Sequence, residues 1–302
     1  MTDWTIHLGD CIPGMADLEE GCVDLTVTSI PFGALFMYSG KTEDIGNNED
    51  GVDLARSFFG AHLRFWAERL FRVQGPGTLA AIHIQQLVTY AVQHGYQGRR
   101  DLRGALVDVM TAAGFEWHAE FTIPKNPQVI AQRQKLHSLL FATGYRDSSK
   151  LAPAVNDHCL VFRCPGERRD PIPALHHPTK NPDGWVTQNE WISWARGTWD
   201  DIRETDVLEG WKLGRDEDDE KHVCPLQLEV VRRCVKLWTN PGEVVFDPFA
   251  GIGTVPYIAV EEGRQGLGFE LKESYHRQAV KNMERVAIGE SAQMTIEEAM
   301  AA

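Results

Sequence analysis

Two short runs hold residues whose types and spacing could do chemistry. The first is Val244 to Thr254, VVFDPFAGIGT. Val244, Val245 and Phe246 read as a short buried strand that Asp247-Pro248-Phe249 ends. Ala250-Gly251-Ile252-Gly253 then makes a glycine-rich turn opening into a helix from about Thr254. Gly251 and Gly253 let the backbone bend tightly and come close to a ligand at the carboxyl end of the strand. Sixteen residues past Thr254, Gly268-Phe269-Glu270 closes a second strand on a carboxylate, where nucleotide-binding folds hydrogen-bond a ribose diol. The second run, Ser29-Ile30-Pro31-Phe32, follows the β-branched strand Val23 to Thr28, VDLTVT.

A GxG turn by itself fits several ligands, and a dinucleotide-binding oxidoreductase is one reading. Against it, Pro256 stands where GxGxxG needs a third glycine, and no hydride-site histidine can be assigned. DPFAGIGT resembles the S-adenosylmethionine (AdoMet) motif of DNA amino-methyltransferases. Ser29-Ile30-Pro31-Phe32 resembles the target-base motif of the same enzymes, usually (D/N/S)PP(Y/F/W), with Ile30 where proline is usual. The resemblance covers about residues 4 to 286, with the base motif near the amino end and the donor loop near the carboxyl end, the order of the β class. It implies an α/β fold: a doubly wound, mostly parallel sheet of the AdoMet-dependent methyltransferase type, circularly permuted in motif order, with a central target-recognition insertion.

The resemblance also implies chemistry. S-adenosyl-L-methionine would be the cofactor, held by Asp10, Asp247, Pro248, Phe249, Ala250, Gly251, Gly253, Thr254 and Glu270, with His222 and Pro225 contributing from the helix start before the loop. Ser29, Ile30, Pro31 and Phe32 would be the catalytic residues. An exocyclic amine on adenine or cytosine is a poor nucleophile because its lone pair is delocalised into the ring. Two acceptors holding its N–H bonds, the Ser29 side chain and the Ile30 carbonyl, would draw the nitrogen toward a pyramidal form, and Phe32 would stack on the flipped base. Adenine N6 and cytosine N4 both fit. RNA or a protein amide is the alternative substrate, since an amide nitrogen poses the same problem.

Composition narrows the class. A chain of 302 residues with 43% apolar content can bury a large core, and no run of 18 apolar residues could span a membrane. Six scattered cysteines without CxxC spacing point to reduced thiols in the cytoplasm, and His176-His177 lacks partners at metal-ligand spacing, so no metal is expected. A net charge of −13 argues against indiscriminate nucleic-acid binding. The acid is locally concentrated in Thr42 to Asp53 and in the Asp216 to Glu220 run, both read as solvated or mobile loops. Expected partners are double-stranded DNA and a second copy of the chain; a lone modification enzyme of phage or prophage type would fit the chain length.

The elements that must position these motifs follow in order. Strands are expected at Trp4 to Leu8, Thr78 to Ile84, Trp117 to Ile123 and His158 to Phe162, and helices at Asp53 to Val73, Leu102 to Ala113 and Glu229 to Trp238, with Gly75-Pro76-Gly77 as a stop. His83, at a strand end, is either a catalytic base or a satisfied structural histidine. Residues 1–123 and 222–287, with strand 158–163, are expected to form the catalytic and AdoMet-binding domain. Residues 124–157 and 164–221 would be insertions meeting DNA, and 288–302 a disordered tail. Segment 124–157 reads as polar, loop-like and basic, with Lys125, Arg133, Lys135, Arg146 and Ser148 as candidate DNA contacts. Five tryptophans between Trp185 and Trp211 fit base stacking or core packing.

Overall fold

A computed structural model describes residues 3–31, 43–45, 57–89, 95–96, 98–133, 136–210 and 225–287. Its strands are β1 (Trp4–Leu8), β2 (Val23–Ser29), β3 (Gln74–Gln85), β4 (Leu87–Thr89), β5 (Gly98–Arg100), β6 (Glu116–Ile123), β7 (Asp157–Arg163), β8 (Val244–Asp247) and β9 (Gln265–Glu270). Its helices are α1 (Cys11–Asp17), α2 (Phe58–Val73), α3 (Leu102–Ala112), α4 (Pro127–Arg133), α5 (Phe141–Arg146), α6 (Gln188–Trp194), α7 (Leu228–Trp238), α8 (Thr254–Glu261) and α9 (Glu273–Ala287).

Seven strands form one sheet in the order β1-β9-β8-β2-β3-β7-β6, and β4 pairs with β5 apart from it. Only β7 runs against its neighbours. Such a sheet needs cover on both faces, which is why β2 is buried from Leu25 to Thr28 instead of alternating. Leu25, Val27 and Val245 pack against residues of α7 and α8; Ile82 and Phe246 pack on the other face with Phe59, Leu63, Trp66 and Leu70 of α2, spaced one helical turn apart. The sheet is thus the doubly wound, mostly parallel α/β sheet expected, and β8 lies beside β2 despite the long sequence gap.

Four details depart from the sequence reading. The helix ends at Val73 as expected, but β3 begins at Gln74 instead of Thr78 and so includes Gly75-Pro76-Gly77, and a register shift between Val23 and Leu25 of β2 absorbs the irregular stretch. Segment 124–157 is not merely loop. It contains α4 and α5, and Ile130, Leu136, Leu139 and Val155 bury a small core of their own with Val88. Residues 164–210 pack directly on the sheet and its helices. Trp199 is buried and stacked on Phe121 at 4.3 Å, the Trp185 indole donates to the Lys236 carbonyl at 2.7 Å, and Arg168 pairs with Glu243. Trp194 is buried too, whereas Trp191 is 49% exposed, so most of these indoles are packing groups. Helix α2 begins at Phe58 and not at Asp53, because extended Ser57 caps it by accepting the Gly60 N–H at 3.1 Å. Residues 53–56, Trp211, the 216–220 acid run and the 288–302 tail lie outside the described residues.

Candidate active site

The carboxyl ends of β2 and β8 are tied to each other by side chains. Leu25 and Thr26 pair with Val245 and Phe246, and just beyond, Thr28 Oγ1 donates to Asp247 Oδ1 at 2.6 Å. The same oxygen accepts the Phe249 N–H at 3.0 Å, which fixes the Asp-Pro-Phe turn, and the Phe249 ring lies 5.8 Å from Trp66. The loop's next backbone amide, Ala250, donates to the Phe269 carbonyl at 2.8 Å.

The two loop glycines serve different ends. Gly251 has φ +55°, and a Cβ there would meet no protein atom within 4 Å, so its outer side is open to a ligand. Gly253, at φ +88°, caps α8, and its Cβ would press on Ala279 and Ile6 at 3.3 and 3.4 Å. Thr254 is buried as the first residue of α8. Glu270, the last residue of β9, stands beside the loop. Its Oε2 accepts the Gly251 N–H at 2.8 Å and its Oε1 the Lys272 N–H at 2.7 Å. Asp10 caps α1 by accepting the Ile12 N–H at 2.9 Å, and the neighbouring Gly9 N–H donates to the Glu270 carbonyl at 2.8 Å. Asp10 therefore stands at the same sheet edge. Pro225 lies two residues before Gln227, the N-cap of α7; His222 lies outside the described residues.

Burial raises Asp247 from 3.8 to about 7, more than the Thr28 and Phe249 hydrogen bonds lower it. Burial also lifts Glu270 from 4.5 to about 7, against two backbone hydrogen bonds and with the Asp247 charge adding to the rise. Two carboxylates that ionise near neutrality behind an open glycine turn suit a ligand carrying positive charge and hydroxyls. A carboxylate offers about four lone-pair directions, so Glu270 retains acceptors for hydroxyls beyond its two backbone partners.

The other half of the site begins at Ser29, the last residue of β2. Ser29 Oγ lies 3.1 Å from His83 Nδ1, and His83 Nε2 lies 3.0 Å from Asp157 Oδ2. Lys125 Nζ reaches the same oxygen at 2.6 Å, and Gln85 Nε2 donates to Asp157 Oδ1 at 2.9 Å. The Ile30 side chain is 1% exposed, anchored in the core with Phe59 and Trp66. Burial therefore stiffens this loop in place of the usual proline. Pro31 is half-buried, and Phe32 lies outside the described residues. Among the described residues no cluster suits a metal ion, and no helix is long and apolar enough to cross a membrane.

Lys125 requires a correction. Its side chain is 6% exposed and its charge is matched by Asp157, so it does not offer a cation to a phosphate. Arg146 and Ser148 are exposed, and only the backbone of Arg133 is described; Lys135 lies outside the described residues. What sequence reasoning missed was the partnership of His83 with Ser29 and Asp157. A histidine in the apolar strand TLAAIHI was its one signal, because 74 residues separate it from Asp157.

The N6/N4 methyltransferase family described as DNA methylase matches residues 23–281. The type II methyltransferase M.BglI of Bacillus subtilis is 30% identical over 141 residues, 46% of this chain and 34% of that protein. Matches to the first curated relatives span between 21% and 34% of their length. Among solved structures, TTHA0409 of Thermus thermophilus complexed with S-adenosyl-L-methionine superposes with a TM-score of 0.65 at 23% identity, covering 94% of this chain and 96% of that one. The cytosine-N4-specific PvuII DNA methyltransferase gives 0.61 at 14% identity, over 95% and 94% of the two chains. At these identities the likeness is one of fold.

The raised carboxyls set a stability profile. The unfolded chain ionises them near 4, whereas the folded chain does so at about 7. Between those values the folded state binds more protons, so the ligand-free protein loses stability as pH rises from about 4 to 7, on the order of 3 kcal/mol per group. Urea unfolding at pH 5 and pH 8 should show this drop, and Asp247→Asn, which keeps the acceptor oxygen without the charge, should make the profile flatter. Equal wild-type stability at both pH values would contradict the burial cost.

Proposed function

This chain belongs to the DNA methylase family, and from that membership we propose that it transfers a methyl group from S-adenosyl-L-methionine to an exocyclic amino group of DNA, adenine N6 or cytosine N4. The observation that carries the reading is the juxtaposition at one sheet edge of an acceptor end, Ser29, and a ligand loop, Asp247 to Thr254, on adjacent strands tied by the Thr28 to Asp247 hydrogen bond. Ligands of open α/β sheets bind at this carboxyl edge.

The residues present fit the donor. Gly251 leaves open space beside the loop, Asp247 can face a positive charge, and Glu270 can accept hydroxyl protons. The bound donor supplies an electrophilic methyl group on a sulfonium. Ser29 Oγ and the Ile30 carbonyl accept the N–H bonds of the target amine and hold it in line, and the buried Ile30 side chain keeps that carbonyl from drifting. Phe32, two positions after Ile30 in sequence, is assigned the stacking contact with the flipped base. The sulfonium's attraction favours ionised carboxylates, offsetting the cost of their burial in the free protein.

For DNA contact we favour segment 124–157 over 164–221, because the described part of the latter packs on the core. Around α5, Phe141 and Tyr145 are 67% and 87% exposed, next to the exposed Arg146, Ser148 and Lys150. Aromatics beside cations suit base faces and phosphates.

Ser29→Ala should slow single-turnover methylation of duplex DNA about a hundredfold, because the missing acceptor acts on the developing charge. Affinity for S-adenosylhomocysteine, measured by calorimetry, should barely change, while Asp247→Ala should weaken it. A wild-type rate from Ser29→Ala would reduce this run to a mere turn. Separately, Arg146→Glu should weaken duplex binding and reduce the slope of log affinity against log salt by about 0.9 for each phosphate no longer neutralised, with donor affinity intact. An unchanged slope would show that α5 faces away from DNA.

A further inference from the structure

We propose that Ser29, His83 and Asp157 form a proton relay that receives the proton lost by the target nitrogen, and that Lys125 keeps this relay in its receptive state. The inference rests on the methyl-transfer reading above. The fold brings the four groups together. Ser29 pairs with His83 across β2 and β3, Gln85 pairs with Asp157 across β3 and β7, and Ile123, opposite Asp157 on β6, leads two residues on to Lys125. His83 and Asp157 are 7% and 4% exposed, so proton positions here are set by the cluster and not by solvent.

The direction of the hydrogen bonds follows from charge. Asp157 stays ionised although buried, because the Lys125 ammonium lies 2.6 Å from its Oδ2 and Gln85 Nε2 donates to its Oδ1 at 2.9 Å. An ionised carboxylate only accepts, so the 3.0 Å contact is His83 Nε2–H donating to Asp157 Oδ2. Lys125 already balances the Asp157 charge at 2.6 Å, so the buried imidazole need not carry a second positive charge. A neutral imidazole protonated on Nε2 has a bare Nδ1, which accepts the Ser29 O–H at 3.1 Å. With its hydrogen committed to His83, Ser29 turns its oxygen lone pairs outward, ready for an amine N–H.

The transfer then balances. As the nitrogen bonds to the methyl carbon and the carbon–sulfur bond breaks, the electron pair of that bond stays on sulfur and the nitrogen takes the positive charge. Its surplus proton passes to Ser29 Oγ, and the Ser29 proton passes to His83 Nδ1. The products are a neutral thioether, a neutral methylamine and an imidazolium beside Asp157, with one positive charge before and after. Ser29 touches the substrate; His83, Asp157 and Lys125 are positioning residues that act through it.

The test has two arms. Nitrogen-15 NMR of the ligand-free protein, with the His83 signals assigned by their loss in His83→Asn, should show protonated Nε2 and bare Nδ1. A wild-type imidazole protonated on Nδ1 would overturn the relay, whatever the enzyme's activity. In the second arm, single-turnover methylation is followed against pH with donor and DNA saturating, which removes the effect of Asp247 and Glu270 on donor binding. The wild-type rate should fall on the acid side as the imidazole fills. His83→Asn, which still accepts from Ser29 but takes up no proton, should be about a hundredfold slower and lose that acid limb, with S-adenosylhomocysteine affinity unchanged. Retention of the wild-type rate and acid limb by His83→Asn would overturn the proposal. A wild-type protein that methylates no DNA would instead sink the activity on which the proposal rests, with the NMR arm still reading the hydrogen-bond direction.

Discussion

The parallel pairing of β8 with β2 is the constraint on which the rest of the structure depends. A donor loop and an acceptor residue more than two hundred positions apart can meet only if their strands are neighbours running in the same direction, so that both chains leave the sheet at one edge. Backbone hydrogen bonds along the two strands set the register, and the Thr28 hydroxyl on Asp247 locks its last step. A slip of one residue would turn Thr28 to the opposite face and separate the two loops. Everything packed above and below the sheet, α2 on one face and α7 and α8 on the other, serves to make that register the one that buries the apolar side chains.

The two halves of the site handle buried charge in opposite ways. On the donor side, Asp247 and Glu270 accept hydrogen bonds from uncharged groups, and burial holds them near the neutral form. The free protein therefore stores a cost that a cationic ligand would relieve, which makes donor binding and carboxylate ionisation one linked event. On the acceptor side, Asp157 is given a lysine, a histidine and a glutamine, so it stays ionised although buried. A charge satisfied in this way rigidifies its neighbours, which suits a group whose task is to aim another.

Much of this was legible in the sequence because it depends on local chemistry. Val244 to Thr254 announced a strand, a turn and a helix from a short apolar run and the glycines after it, and Ser29-Ile30-Pro31-Phe32 was readable as a motif at a strand end. The strands Trp4–Leu8 and Val23–Ser29 and the helix Leu228–Trp238 follow from apolar periodicity and lie within a residue of expectation. What the sequence hid depends on distance. Lys125 looked like a phosphate contact because it sits in a basic stretch, and only the strand order reveals that its nearest charge is Asp157. His83 had no visible partner in the sequence, and the register puts it opposite Ser29. The helices of segment 124–157 were masked by its polarity, since six- and seven-residue helices carry too few apolar positions to show a period.

Nucleoside mass spectrometry of duplex DNA incubated with the protein and methyl-labelled S-adenosyl-L-methionine tests the central claim most directly. The label should appear on N6-methyladenine or N4-methylcytosine, since the proposed roles of Ser29 and Ile30 are to hold an amine by its N–H bonds. Label on 5-methylcytosine, or a reaction that marks protein or RNA while leaving DNA untouched, would contradict it.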